Sequence, residues 1–393
     1  MTASTTAPAL RAPERLLSFD LLRLVAVALV LGAHMEAVPA GWTHWTADVL
    51  RVLRTQGGLG VDLFFVLSGV LVSGLIFAEY KRRGEFSLSR FYIRRAWRIY
   101  PPFYAFIAFT YLYSLVVVGW KIRDREIFSE LLFLQSYQQG YWNHTWTLAI
   151  EEHFYLLLPL TLVLLARMNR GSANPFRAIP ALVGWSMAIF AGVRAVNYLV
   201  RTEFSYHTHA WNTHLRIDAL FFGVAIAYAY HFHRRPFEAK LRPLRYPMVG
   251  LGAAMLTTPV WLPIDMGELY SHSLGYTQNF LGAGLVVAGL MLCNIPRNRL
   301  TLALAALGAY SYSIYLWHMA LMYWAVPHLQ NYLSWGARTA LYVVGAFVIG
   351  IAMAKIVELP LLKLRDRRYP SRSSEPGGII TSPAAAPPAT RAA

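Results

Sequence analysis

The sequence predicts an all-α, polytopic membrane bundle of about ten transmembrane helices with cytoplasmic N- and C-termini. Three observations point there. The 393 residues are 56% hydrophobic and only 14% charged, whereas soluble domains carry about 25% charged residues. Apolar runs recur along the chain, each near the ~20 residues that a helix needs to cross a bilayer. Finally, the basic residues concentrate in alternate connecting segments, the pattern of positive charge kept on the cytoplasmic side.

Residues 1–15 are rich in Ala, Thr and Pro and read as a disordered tail. Ten spans follow, at 16–38, 58–78, 100–120, 146–166, 178–199, 214–232, 246–264, 275–293, 301–323 and 337–358. One membrane domain therefore occupies 16–365, and the Ser/Pro/Ala-rich stretch 366–393 reads as a second disordered tail. The first span has some marks of a signal peptide, with Arg11 and Arg15 before it and Ala37-Val38-Pro39-Ala40 after it. Arg23 interrupts its apolar region and many spans follow, so it reads as an uncleaved anchor.

Orientation follows from the loops. Lys81, Arg82, Arg83 and Arg90 to Arg98 lie after span two; Arg167, Arg170 and Arg177 after span four; Arg234, Arg235, Lys240, Arg242 and Arg245 after span six. Arg297 and Arg299 follow span eight, and Lys363, Arg365, Arg367 and Arg368 follow span ten. The opposite loops are poor in such residues. The net charge of +16 is thus mostly topology, and nucleic acid is not needed to explain it. A single cysteine, Cys293, excludes internal disulfides and argues against a thiolate metal site.

Within this frame, ionisable residues inside spans mark candidate sites, because charge in a bilayer is costly. Arg23 and His34 are eleven positions apart on span one, so they share a helix face and stand ~16 Å apart along the axis. Arg23 falls in the inner half and His34 near the outer end. Asp62 in GVDLFFVLSG, Glu151 and Glu152 in HTWTLAIEEHFY, Arg216 and Asp218 in THLRIDALFFG and His318 in SYSIYLWHM are placed near that same outer level. Their convergence predicts one polar site. Taken singly, Asp62 and Arg216 read equally well as helix-end residues meeting headgroups. On the cytoplasmic side, RFYIRRAWRIYPP interleaves basic and aromatic residues. It reads either as ordinary interfacial anchoring or as a grip on a polyphosphate, with Arg94 and Arg98 one turn apart and Arg95 beside them.

Five motifs then occur in order: Arg23-x10-His34, GGLGVDLFFVLSGVLVS, FYIRRAWRIYP, HTWTLAIEEHFYLLLPL and LGAYSYSIYLWHM. Together they resemble the acyltransferase 3 family of integral-membrane acyltransferases over roughly residues 16–360. The resemblance implies transfer of an acyl group, often acetyl, from cytoplasmic acyl-CoA to a hydroxyl of a sugar, glycan, lipid-linked glycan or secondary metabolite. It implies that His34 is the family's essential histidine and Arg23 its paired arginine. Arg95 and Arg98 match the arginines assigned to the CoA side, and Glu151 and Glu152 the acidic pair. His153 stands where many relatives have Gln. The short C-terminal tail carries no fused hydrolase-like domain, which suits a small acceptor such as a macrolide sugar.

The expected chemistry needs a base and an oriented alcohol, since a thioester is already activated. Neutral imidazole suits that role, so His34 is expected to deprotonate the acceptor while Glu151 or Glu152 orients the ring and steadies imidazolium. An acyl-His34 intermediate is the alternative. Arg23, Arg94, Arg95 and Arg98 are expected to hold acyl-CoA (acetyl-CoA above all), and Asp62, Arg216, Asp218 and His318 the acceptor. The implied partners are acyl-CoA, a hydroxylated sugar or glycoside and the lipid bilayer of a bacterial plasma membrane. No resident cofactor, metal or nucleic acid is expected. His207, His209 and His214 read as a solvated or acceptor-bonding loop, and Ser68 as a helix-packing residue beside Gly69. Glu358 is expected to pair with a loop arginine. The competing class is a secondary transporter or exporter; no internal repeat of the kind transporters carry is visible.

Overall fold

The structure is a computed structural model that describes residues 17–201, 203–261 and 268–370. The expected N-terminal tail, 1–15, and most of the C-terminal one lie outside these. Among the described residues the chain is helical throughout, without strands. Helix α1 (Leu17–His34) is followed by the short amphipathic α2 (Trp45–Gln56). Helix α3 (Leu59–Arg83) ends at Gly84, whose φ of 75° is the left-handed conformation that glycine adopts without strain. Helix α4 (Leu88–Tyr113) starts where the Ser87 hydroxyl accepts from the Arg90 amide, and runs into a π turn, Ser114–Val118. Then come α5 (Asp124–Leu131), α6 (Trp146–Met168), α7 (Ile179–Val200), α8 (Tyr206–His209) and α9 (Thr213–Phe232). The remainder is α10 (Arg234–Leu241), α11 (Arg245–Leu256), α12 (Thr258–Trp261), α13 (Glu268–Ser271), α14 (Leu274–Leu292), α15 (Arg299–Ala309), α16 (Ser311–Trp324), α17 (Trp335–Met353) and α18 (Leu359–Arg368).

Seven helical runs among the described residues are long and apolar enough to cross a membrane, and an eighth forms if α15 and α16 count as one span broken by a 64° bend. The fold is therefore the expected all-α polytopic bundle, with fewer straight spans than the ten apolar runs suggest. Besides that bend, two reasons account for the difference. The run 246–264 is helical only over Arg245–Leu256 before a break at Thr257, and twelve residues at 1.5 Å each reach only ~18 Å. Helix α14 opens with Tyr276, Thr277, Gln278 and Asn279, which dilute its apolar character. Helices α11 and α14 pack on each other, close enough that a Cβ on Gly252 would stand 2.5 Å from the Gly282 carbonyl oxygen.

Helix α3 is the most thoroughly buried span and sits at the centre, against α1, α6, α9 and α14. Its crossing with α9 is a backbone-to-backbone contact. A Cβ at Gly69 would stand 2.0 Å from the Leu220 carbonyl oxygen, and one at Gly223 would stand 2.3 Å from that of Val66. Lipid offers no hydrophobic drive between helices, so close packing of small residues does the work. Outside, Leu156, Leu160 and Leu164 of α6, Trp185, Ile189 and Val196 of α7, and Val344 and Val348 of α17 are exposed at helical spacing. Such stripes suit acyl chains.

The basic ends gather on one face. Lys81 Nζ donates to the His231 carbonyl (2.8 Å), so the ends of α3 and α9 lie together. Arg90 and Arg94 of α4 donate to the carbonyls of Pro370 and Tyr369. Residues 366–370 are thus tied down, and helix α18 runs to Arg368, which moves the start of the tail beyond the expected residue 366.

The α3–α9 crossing leaves no room for a side chain, so Gly69→Ala should lower stability by about 3 kcal/mol, read as a reduced thermal unfolding temperature in detergent. Gly184→Ala, where a Cβ meets nothing within 4 Å, should leave that temperature unchanged.

Candidate active site

Two cavities lie on either side of a layer of histidines. The first, of about 110 Å³, opens between α1, α3, α4, α6 and α16. Its polar lining is Arg23, Ser68, Arg95, Arg98, Thr147, Glu151, Glu152, Tyr155, Ser311, Tyr312 and Tyr315, and its apolar wall includes Phe64, Leu67, Leu71 and Leu75. Helical spacing puts Arg95 and Arg98 one turn apart on α4 and brings both to the cavity. The Arg95 guanidinium lies 3.7 Å over the Tyr155 ring. Tyr155 donates to Glu151 Oε2 at 2.8 Å and accepts from Ser68 Oγ at 2.5 Å. Three arginines and two glutamates thus line an apolar slot. Arg23 also pairs with Asp20 at 3.1 Å.

The second cavity, of about 720 Å³, is lined by His34, Met35, Glu36, Arg54, Met319, Met322, Tyr323, Gln330, Trp335 and Arg338. Arg338 is paired with Glu36 at 2.9 Å. His34 Nδ1 lies 2.9 Å from the Val30 carbonyl oxygen. A carbonyl only accepts, so Nδ1 carries the proton and Nε2 keeps its lone pair. The His318 ring stands edge-on to His34, with centroids 5.1 Å apart, and His144 stands 5.1 Å beyond it. Tyr315, one turn before His318, lines the first cavity and donates to the His144 carbonyl at 2.6 Å. The histidines and Tyr315 therefore form the wall between the cavities.

Residues 16–355 match the acyltransferase 3 family, an acyltransferase domain. The chain belongs to that family. It is 25% identical over 374 residues to the peptidoglycan O-acetyltransferase OatA of Listeria monocytogenes, covering 88% of this chain and 56% of that protein. It is likewise 25% identical over 373 residues to the O-acetyltransferase OatA of Staphylococcus aureus, covering 89% and 58%. A putative O-acetyltransferase of S. aureus is 26% identical over 302 residues, 68% of this chain and 46% of that protein. The chain thus spans somewhat more than half the length of the two OatA proteins. No solved structure matches it. With its apolar helices, this family member is a multi-pass protein of the bacterial cell membrane.

For this acyltransferase 3 chain, the single polar site expected near the outer level resolves into three separate groups. Glu151 and Glu152 line the cavity of the arginines and not that of His34, so the Val30 carbonyl, rather than a carboxylate, orients the imidazole. His318 does meet His34, as the common depth predicted. Asp62, Arg216 and Asp218 line neither cavity. Arg216 donates to Asp62 at 2.6 Å and lies over Tyr276 at 4.4 Å. Asp218 accepts both carboxylate bonds, 3.1 and 2.9 Å, from Arg194, which also donates to the carbonyls of Ser273 and Leu215 and to Thr277 Oγ1. Two cations and two carboxylates cancel, and the group pins α3, α7, α9 and α14 together. Truncating one partner of such a buried pair is strongly destabilising. Arg194 was not singled out in the sequence, although an arginine within span five was signal enough.

Arg94 is a further correction. It pairs with Asp366 at 3.1 Å and reaches the Tyr369 carbonyl, so it braces α18 instead of lining the cavity. Glu358 accepts from Ser313 at 2.8 Å, with the Arg98 charge nearby. His153 is bonded to Thr213 Oγ1 at 2.7 Å. His209 packs on Phe204, and His214 stacks on Tyr137.

Glu130 of α5 carried no sequence signal, since an acid in a connecting segment reads as solvated. It is wholly buried. Its Oε1 accepts from the Trp142 amide at 2.8 Å and the Thr145 hydroxyl at 2.9 Å, which holds the turn bearing His144. Burial pushes its carboxyl up to about 8. A raised carboxyl means that folding takes up a proton between the unfolded value near 4.5 and about 8, so stability falls as pH rises through that window. Glu130→Gln should remove this slope: the variant's unfolding temperature should gain on the parent's between pH 5 and 8, measured as paired melts across that range.

Proposed function

We propose that this protein is a membrane O-acyltransferase that moves an acyl group, acetyl above all, from acyl-CoA to a hydroxyl of a sugar-containing acceptor. The observation that carries the reading is the pair of unlike cavities meeting at one histidine wall: an arginine-rich slot on one side and the unprotonated Nε2 of His34 on the other. A transporter instead needs one site exposed alternately to both sides.

The donor side follows from charge. CoA phosphates are too polar to enter the bilayer, and the basic face, cytoplasmic by the distribution of its arginines, is where they are met. Arg95 and Arg98 offer planar forks for phosphate oxygens, and Arg23 continues the positive lining along α1. The apolar wall of Phe64, Leu71 and Leu75 suits the thin pantetheine arm, which carries the thioester toward Tyr315 and the histidines. Glu151 and Glu152 then serve the donor cavity: Glu151 holds Tyr155, and Tyr155 supports the Arg95 guanidinium from below.

On the acceptor side, His34 Nε2 removes the hydroxyl proton as oxygen attacks the thioester carbon; the carbon–sulfur bond breaks and thiolate leaves. A positioned base of this kind contributes about 10²–10⁴-fold. Trp335 and Tyr323 offer aromatic faces, and Arg54, Gln330 and Glu36 polar edges, for a sugar. The OatA relatives are named for O-acetyl transfer, one of them to peptidoglycan, which favours a cell-envelope glycan over the smaller macrolide-type glycoside as acceptor.

Labelled acetyl-CoA and a peptidoglycan disaccharide, with the protein in nanodiscs, test the reading. His34→Ala should lose transfer by about 10³-fold while acetyl-CoA affinity stays near the parent's. Arg95→Ala and Arg98→Ala should each weaken acetyl-CoA binding about 10-fold or more, through loss of a charge-assisted bond. Arg94→Ala, outside the cavity, should leave binding unchanged. Ordinary acetyl-CoA affinity in the Arg95 and Arg98 variants would overturn the donor assignment.

A further inference from the structure

The wall between the cavities holds an unusual hydrogen-bond pattern. His34 Nδ1–H donates to the Val30 carbonyl at 2.9 Å, His318 Nδ1–H to the Tyr315 carbonyl at 2.5 Å, and His144 Nε2–H to the Leu316 carbonyl at 3.1 Å. Every partner is a carbonyl, so each ring's proton is committed to the backbone and each keeps one lone pair. His318 Nε2 and His144 Nδ1 are buried and have no hydrogen-bond partner, and the two residues are 0% and 2% exposed. Unpartnered buried polar atoms are uncommon and call for an explanation. Here the three rings together hold three acceptors and no donor. One added proton would change that, since the ring receiving it becomes a donor toward a neighbour's lone pair.

His318 is the central ring, with centroids 5.1 Å from both His34 and His144. The titratable groups that bear on it are those two imidazoles. Of the carboxylates that could steady an imidazolium, Glu151 and Glu152 line the other cavity, and Glu36, which shares the cavity of His34, is paired with Arg338 at 2.9 Å. Tyr315, whose ring lies 5.6 Å from that of His318, borders the donor cavity. A proton taken at His34 therefore has imidazole, not carboxylate, to share it with, on a path that leads toward the leaving thiolate.

We propose that His318 and His144 are positioning residues that hold the acceptor's proton together with His34 during transfer. The inference rests on the acyltransferase reading and deepens it. The balance is simple. The acceptor O–H bond breaks and the oxygen–acyl bond forms while the acyl carbon–sulfur bond breaks. His34 Nε2 takes the proton, His318 Nε2 and His144 Nδ1 share it, and it ends on sulfur as the S–H bond of CoA.

The test uses the full chain in nanodiscs with acetyl-CoA and the peptidoglycan disaccharide. His318→Gln and His144→Gln keep polar side chains of similar bulk. Each should lower kcat about 10²-fold while both KM values stay within about twofold, and each should raise the solvent deuterium isotope effect on kcat. Because the rings act as one unit, the double variant should be about as slow as the worse single variant, not the product of the two losses. A packing role would instead raise KM, leave the isotope effect unmoved and give additive losses; any of these overturns the proposal. Thermal melts report folding, and if His318→Gln does not fold, His144→Gln carries the test. Full activity in His34→Ala would defeat the acyltransferase mechanism itself. An inactive His34→Ala beside two fully active Gln variants would defeat this inference alone.

Discussion

The backbone contact between α3 and α9 sets the geometry on which the rest of the bundle depends. Gly69 and Gly223 let the two helices touch main chain to main chain, with the Leu220 and Val66 carbonyls where side chains would otherwise stand. In lipid, apolar side chains gain nothing by leaving acyl chains for one another, so such close contacts supply attraction that hydrophobicity does not. On the same two helices, Asp62 meets Arg216 and Asp218 meets Arg194 from α7. The glycine crossing sets the distance between α3 and α9, and the neutral quartet of charges sets their register. Helix α3, placed this way, presents Phe64, Ser68 and Leu71 to the arginine-lined cavity.

Charge is sorted by neighbourhood. The quartet is paired and buried, which makes it a structural device. The first cavity sets Arg23, Arg95 and Arg98 beside Glu151, Glu152 and an apolar wall. The histidine wall has ring nitrogens, His318 Nε2 and His144 Nδ1, that no donor meets. The three groups differ in how their polar atoms are paired, and that difference separates them more clearly than depth in the membrane does. Glu130 adds a fourth case: a buried carboxyl outside the spans that steadies the turn carrying His144 through Trp142 and Thr145.

Much of this was legible along the chain. The apolar runs and alternate basic loops identified a polytopic helical bundle, and the ordered motifs pointed to the family that residues 16–355 match. The pairing of His34 with His318 followed from placing both near one level, and Arg95 and Arg98 from the family resemblance, whereas spacing alone had set Arg94 with Arg98. Other readings failed for identifiable reasons. Glu151 and Glu152 shared a depth with His34, yet depth does not determine which way a helix is rotated, and α6 turns them toward the arginines. Arg94 differs from Arg95 by about 100° around α4, enough to send it to Asp366 instead of the cavity. The run 301–323 looked continuous because composition does not register a 64° bend.

The sequence by itself determined the class of the molecule, because hydropathy and positive charge act through the membrane as a solvent and need no partner helix to be read. It also determined which residue types are available for chemistry. Only the tertiary structure decided how those residues are divided. Whether a buried arginine meets a carboxylate or an open slot depends on helix rotation and crossing, and these are set by contacts between residues far apart in the chain, such as Gly69 with Leu220 or Arg194 with Asp218. His144 shows the difference most plainly. In the sequence it is one residue of a motif before α6; in the fold its ring completes the wall behind His34 and His318, because the turn that bears it is held by Glu130 on one side and by Tyr315 on the other.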